Sequence, residues 1–386
     1  MIIHALAHAL SMSLAMGWEI LWPLILGFGL SAAIQAVVSH KQMSRLLADD
    51  SPKTLALAAG WGAASSSCSY AAVAIARSIF RKGADFTSAM AFEVASTNLV
   101  IELGIIMAVL LGWQFTAAEF VGGPLMILIL AILFRLFLTP KLVSAARAQA
   151  EKAVHGRMEG HAAMDDMAVK ADGSIWHKLA SPAGRTATSH FFIMDWASIW
   201  TDIVLGLLVA GSLAAWVPKS WWRALFFTNH HALAVIWGPL VGPLIAIASF
   251  VCSVGNVPLA AVLWNGGISF GGVVSFIFAD LLVFPILRIY KKYYGMKMAL
   301  FILGTFYVAM ALAGYLVEGI FALLHLTPHV RNAKVLEASI SFNYTTVLNI
   351  ILLVIAGALI WRFLQTGGPA MLKMMKKPAS DLGQRH

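Results

Sequence analysis

Apolar runs of about 20 residues, the length that crosses a bilayer as a helix, recur along this chain. They fall at 17–38, 86–111, 115–138, 195–217, 268–287, 298–319 and 342–363. A soluble fold has no place for so many. Charge agrees: 12% of the 386 residues are charged, against roughly 25% in soluble domains. The sequence therefore predicts an all-α integral membrane protein, a polytopic helix bundle whose main partner is the lipid bilayer. The net charge of +9 is then no nucleic-acid footprint, because excess Lys and Arg mark the cytoplasmic loops of membrane proteins. Residues 1–16 lack the basic start of a cleaved signal peptide and read as a short interfacial helix on the outer side.

Two more apolar stretches carry breakers. Residues 54–80 are interrupted by Ser65-Ser66-Ser67-Cys68-Ser69, and 231–264 by Gly238-Pro239, Gly242-Pro243, Cys252-Ser253 and Gly255-Asn256-Val257-Pro258. Broken backbone is tolerated inside a membrane where it is buried in protein or lines a cavity. If both stretches are re-entrant hairpins, 23 of the 27 Lys and Arg fall on one side. If 54–80 crosses fully, the long 139–194 loop moves outside and that bias weakens, so the re-entrant reading is preferred. The expected organisation is a first transmembrane repeat over 1–138, a cytoplasmic loop over 139–194, a second repeat over 195–363 and a cytoplasmic tail over 364–386. The setting that fits is the inner (plasma) membrane.

The halves resemble one another. Aligning Cys68 with Cys252 gives 8 identities over 31 ungapped positions, among them Gly83/Gly267, Phe86/Phe270 and Phe92/Phe276. Trp18-x3-Trp22 and Trp196-x3-Trp200 open the preceding spans. On the preferred topology the first half begins outside and the second inside. Two similar units of opposite orientation, each with a broken helix, form the inverted repeat of many secondary transporters, and the breaks point to a site near the midplane. Convergent small-residue packing is the bland alternative.

The blocks SSSCSYAAVAIARSIFRKGADFTSAMAFEVASTNLVIELG and CSVGNVPLAAVLWNGGISFGGVVSFIFADLLVFPILRIYKKYYG resemble the paired signature blocks of the ArsP-type predicted permeases. The resemblance covers nearly the whole chain. It implies a permease, and the family includes efflux permeases for trivalent organoarsenicals.

Cys68 and Cys252 are the first candidate contacts, since soft thiophilic centres such as As(III) suit sulfur ligands. Two sulfurs match the two exchangeable positions of a mono-organo-arsenical. A free cysteine is otherwise a small buried apolar residue. Ser66, Ser67, Ser69, Ser253 and Asn256 could present hydroxyl, amide and helix N-terminal groups to a substrate at the breaks, with Asn98 beside them. Ionisable residues in the bilayer face a cavity, pair, or relay protons; Glu93, Glu102 and Asp280 are the candidates for proton coupling, against a role as interhelical glue. Asn98 and Glu102 are four apart and should share one helix face. Asp195 is expected at the interface. His155, Met158, His161, Met164 and Met167 in the 139–194 loop could ligate a soft metal, though a solvated linker is the simpler reading.

The expected function is a secondary permease exporting a small, soft, thiol-reactive solute. The alternatives are a transition-metal permease and a membrane metal-binding sensor or assembly protein built on the His/Met loop. No enzyme activity and no cofactor are expected, and the lack of a P-loop predicts no ATPase in the chain.

Overall fold

The computed structural model describes residues 2–37, 47–65, 69–81, 83–151, 175–216, 218–228, 230–249, 253–328, 330, 331, 333, 344–370 and 372. Every regular element among them is helical. The first half runs α1 (Ile2–Val37), α2 (Pro52–Ser65), α3 (Ser69–Arg81), α4 (Phe86–Asn98), α5 (Ile101–Leu110) and α6 (Trp113–Phe137). Then come α7 (Pro140–Glu151) and α8 (Ile175–Ala180). The second half runs α9 (Pro182–Trp216), α10 (Lys219–Leu225), α11 (His231–Ser249), α12 (Ser253–Gly266), α13 (Phe270–Phe278) with a 3₁₀ turn at Ala279–Leu282, α14 (Phe284–Tyr294) and α15 (Met296–Leu323). α16 (Tyr344–Gln365) closes the described chain apart from a short extension.

The element order repeats. α3 and α12 begin at Ser69 and Ser253, and α4 and α13 at Phe86 and Phe270, each pair 184 residues apart. The turn between them repeats too. Gly83 and Gly267 both take positive φ, +107° and +113°, which a side chain would strain. The N–H of Ala84 donates to Ile79 O and that of Ile268 to Leu263 O, both at 3.3 Å. The following helix is then capped by a side chain that accepts backbone N–H groups: Asp85 from Thr87 and Ser88, Ser269 from Gly272.

Two arginines close these turns from outside the helices. Arg147 of α7 donates to Phe80 O and Ala84 O and lies 4.0 Å over the Phe80 ring. Arg331, beyond α15, donates to Trp264 O and Ile268 O and lies 4.1 Å over the Trp264 ring. Ala84 O and Ile268 O gain a partner at the helix end in this way, while Phe80 O and Trp264 O also accept the Gly83 and Gly267 N–H groups.

Glycines let the broken segments pack backbone to backbone, as small residues do between membrane helices. A Cβ at Gly62 would lie 2.4 Å from Phe92 O, and one at Gly242 2.5 Å from Gly272 O. α2 is thereby seated on α4, and α11 on α13. On the linker before α2, hydrogen bonds from Thr54 and Ser51 hold the exposed Asp49 carboxyl below the usual carboxylate range. Arg135 at the end of α6 pairs with Asp50 at 2.7 Å.

Among the described residues, four helices have the length and apolarity to cross a bilayer alone, and up to seven do so when each bent pair counts as one span. Large apolar side chains stand exposed on these helices, such as Leu136 on α6 and Val354 and Trp361 on α16. That is the surface lipid covers.

Three expectations need correction. The N-terminal 16 residues are not a separate helix but the start of α1, where Ser13 donates to Leu207 O of α9. The runs 86–111 and 268–287 are not continuous helices; each is a bent pair, by 40° and 44°. In the first, Leu99 ends α4 and Val100 is extended, so Asn98 and Glu102 do not share a helix face. Asp195, expected at the interface, is buried against protein, 6% exposed.

Candidate functional site

The polar residues gather where the helices break. Ser69 is the first residue of α3 and fully buried. Its hydroxyl donates to Asp280 Oδ2 at 2.6 Å. Asp280 belongs to the 3₁₀ turn that separates α13 from α14, and it too is fully buried. Thr97 and Asn98, at the end of α4, bond within their own helix, to Val94 O and to each other, and Asp280 Oδ1 has no hydrogen-bond partner among the described residues. The first half thus meets the second through Ser69 and Asp280, residues 211 apart in sequence.

Glu93 lies one turn before Thr97 on α4, with no exposure. Its Oε1 accepts the Tyr290 hydroxyl of α14, and Asp280 acts on it electrostatically. Tyr290 and Tyr294 line up on α14, both fully buried. An uncompensated carboxylate in this setting costs several kcal/mol. Two donors, Ser69 of α3 and Tyr290 of α14, therefore meet the two acids.

One acid here was missed by the sequence reading. Glu119 of α6 is fully buried, and neither carboxyl oxygen has a hydrogen-bond partner. Asp280 acts on it electrostatically. Its signal was the one that marked Glu93, an ionisable residue inside an apolar run. Four residues into 115–138, it reads as an interfacial acid instead.

The other expected site residues are distributed less evenly. Ser253 and Asn256 open α12 and are buried; Asn256 Oδ1 accepts from Ser249 at 3.4 Å, and its Nδ2 has no partner. Glu102 is in the first turn of α5, packed on Gly27 of α1, and the charge that acts on it is Asp195 of α9. The structure therefore separates Glu102 from the Glu93–Asp280 centre. Cys68, Cys252, Ser66 and Ser67 lie outside the described residues, as do His155, Met158, His161, Met164 and Met167. By sequence, Cys68 and Cys252 each immediately precede the first residue of α3 and α12. Among the described residues no group of three or more His, Cys, Asp and Glu could hold a metal ion.

A cavity of about 360 Å³ opens elsewhere, where α12 ends and α13 begins. Trp264, Ser269, Phe270, Glu318, Thr327 and Arg331 line it. The Glu318 carboxylate accepts the Gly271 N–H.

The family described as "Predicted permease", ArsP_1, matches residues 5–319, a stretch that holds both sets of broken helices and every described residue of the Ser69–Asp280 centre. The chain belongs to the ArsP_1 family of predicted permeases. A relative from Mycobacterium tuberculosis (strain ATCC 25618 / H37Rv) carries the name "Putative permease Rv2963". It is 62% identical over 339 residues, covering 88% of this chain and 83% of its own. No solved structure matches the chain. For this ArsP_1 permease, then, the buried polar centre between the two halves is the place to look for transport chemistry.

Proposed function

We propose that this permease is a secondary transporter that exports a small, soft, thiol-reactive solute, with a trivalent mono-organo-arsenical as the leading candidate. The observation that carries the reading is the pair of breaks. α2 and α11 are described to Ser65 and Ser249, and α3 and α12 from Ser69 and Ser253, each pair 184 apart, and by sequence Cys68 and Cys252 immediately precede the later helices. Broken helices at matching places in two repeats are where secondary transporters bind their cargo. Two thiols, one from each break, would hold As(III) by exchange and release it by exchange. Ser69, Ser253, Asn256 and Asn98 supply polar contacts near the same breaks. The halves are proposed to be inverted, which the distribution of basic residues supports.

The reading assigns proton coupling to Asp280 and Glu93, buried acids tied to both halves by Ser69 and Tyr290. Intramembrane acids of this kind are found on ion pathways. The protein is placed in the plasma membrane, with the 139–194 loop and the tail facing the cytoplasm.

The test is a resistance and efflux assay in an arsenical-sensitive host, with methylarsonous acid, arsenite and transition metals run side by side. Protection against the methylated arsenical, and its outward movement in loaded cells, supports the reading. Protection against a metal alone would transfer the cargo to the metal.

A further inference from the structure

Glu119 is the buried acid that the proposed coupling leaves without a task, and its placement gives it one. It sits on the face of α6 that also carries Phe115, Gly122 and Gly123. A Cβ at Gly122 would lie 2.7 Å from the Phe278 ring, and one at Gly123 2.4 Å from Leu99. These neighbours stand next to the two helix breaks, so one turn of α6 presses directly on the Asp280 and Asn98 region. One turn the other way, Phe115 packs on Trp264 and Phe270 with ring centres 5.1 and 4.8 Å apart. Trp264 and Phe270 are walls of the 360 Å³ cavity. Glu119 therefore lies on α6 between the contacts with Phe278 and Leu99, beside the Asp280 turn, and the layer of aromatic rings that walls the cavity.

Charges on the surrounding elements sharpen this. The titratable groups on the helices packed against α6 are Glu93 on α4, Glu102 on α5, Asp280 after α13, and Lys297, Tyr307, Tyr315 and Glu318 on α15. Asp280 is the one whose charge acts on Glu119. Among the described residues no hydrogen-bond donor meets the Glu119 carboxyl. A structural acid gluing helices together would have such a partner. Beyond Glu119, Asn98 Oδ1 is also fully buried and accepts nothing. It is an acceptor left open for a proton-bearing group at the same centre.

We propose that Glu119 is a proton-carrying site of this permease, set between the cavity at Arg331 and Asp280. Glu119 rests protonated, since a partnerless buried carboxylate is costly. Its O–H bond breaks as an O–H bond forms on the Asp280 carboxylate, and when the Phe115–Trp264–Phe270 layer parts a hydrated proton from the cavity restores the Glu119 O–H and leaves water. This rests on the proton-coupled reading above and adds the station through which the proton arrives.

The experiment uses the full-length protein in proteoliposomes, wild type against Glu119→Gln and Glu119→Asp. The first arm is infrared spectroscopy of the protonated-carboxyl stretch as bulk pH is raised, with no substrate present. A band that disappears with rising pH and is missing from Glu119→Gln is expected; an identical band in that variant overturns the proposal. The second arm is uptake of methylarsonous acid. Glu119→Gln should lose accumulation driven by a pH gradient by roughly tenfold or more, while exchange at equal pH stays within about threefold, because binding and coupling are separate interactions. Glu119→Asp should recover part of the driven uptake. Normal accumulation by Glu119→Gln overturns the proposal. If wild type moves no arsenical, the cargo reading fails, and the infrared arm still decides Glu119.

Discussion

Arg331 follows Arg147 by 184 residues and repeats its contacts one for one. Phe80 and Trp264, whose carbonyls and rings they engage, are 184 apart, and so are the second carbonyls, of Ala84 and Ile268. The match lies outside the aligned sequence block that first suggested a repeat. It also concerns residues that belong to no span. An arginine in each half thus pins the turn between a hairpin arm and the broken helix that follows.

Loss of either arginine should loosen its half. Arg147→Ala or Arg331→Ala removes two charge-assisted hydrogen bonds and a cation–π contact, together about 2–4 kcal/mol. Thermal unfolding in detergent should show it for each variant. Lys should not restore stability, because one ammonium cannot reproduce a planar fork stacked on a ring. Wild-type melting of both Ala variants would mean that the turns hold without their clamps.

The cysteines should behave as one site. Cys68→Ser and Cys252→Ser are each expected to lower organoarsenical resistance, and the double variant to be little worse than either, which is the mark of coupled groups. Growth on methylarsonous acid measures it. Full resistance in the double Cys→Ala protein would remove thiol ligation from the mechanism and leave the serines and asparagines as contacts.

Asp280→Asn should abolish accumulation against a pH gradient while leaving exchange at equal pH measurable, and Glu93→Gln should do the same. The reason is that a neutral amide keeps the shape but carries no exchangeable proton. Flux in proteoliposomes with and without an imposed gradient separates the two. If both variants concentrate substrate normally, the carrier lies elsewhere.

Reporter fusions after Ala150 and after Gln384 should both report the cytoplasm, since 23 of 27 basic residues fall on that side and basic loops stay inside. Opposite locations for the two fusions would break the assignment of re-entrant hairpins.

Replacing His155, Met158, His161, Met164 and Met167 with Ala should leave efflux within about threefold if the loop is a solvated linker without thiolate ligands. A collapse of efflux in that variant would favour the metal-handling alternative.

Much of the fold was legible because lipid enforces simple rules. Apolar runs marked the helices, while the Ser-rich and Cys-Ser stretches between α2 and α3 and between α11 and α12 lie outside the described residues. The bend at Leu99–Val100 was not legible. Neither residue is Gly or Pro, and the run 86–111 stays apolar across it. Asp280 was found as an isolated acid, but its partner Ser69 could only be assigned once the two breaks were brought together. Glu102 was grouped with Asn98 by helical spacing, and the extended Val100 undoes that spacing. Arg147 and Arg331 escaped notice because they lie outside the apolar runs, where basic residues are common and a single one carries no signal.

The backbone repeats, but its acids do not. At the offset of 184, Glu93 falls on Ile277, and Asp280 on Ser96. A chain assembled from two first halves would hold Glu93 twice and offer Ser69 a hydroxyl in place of a carboxylate. One assembled from two second halves would keep Asp280 and lose Glu93. Neither homoduplex could rebuild the centre. The halves have become complementary rather than interchangeable, so expressing them as separate fragments should restore activity only when both kinds are present.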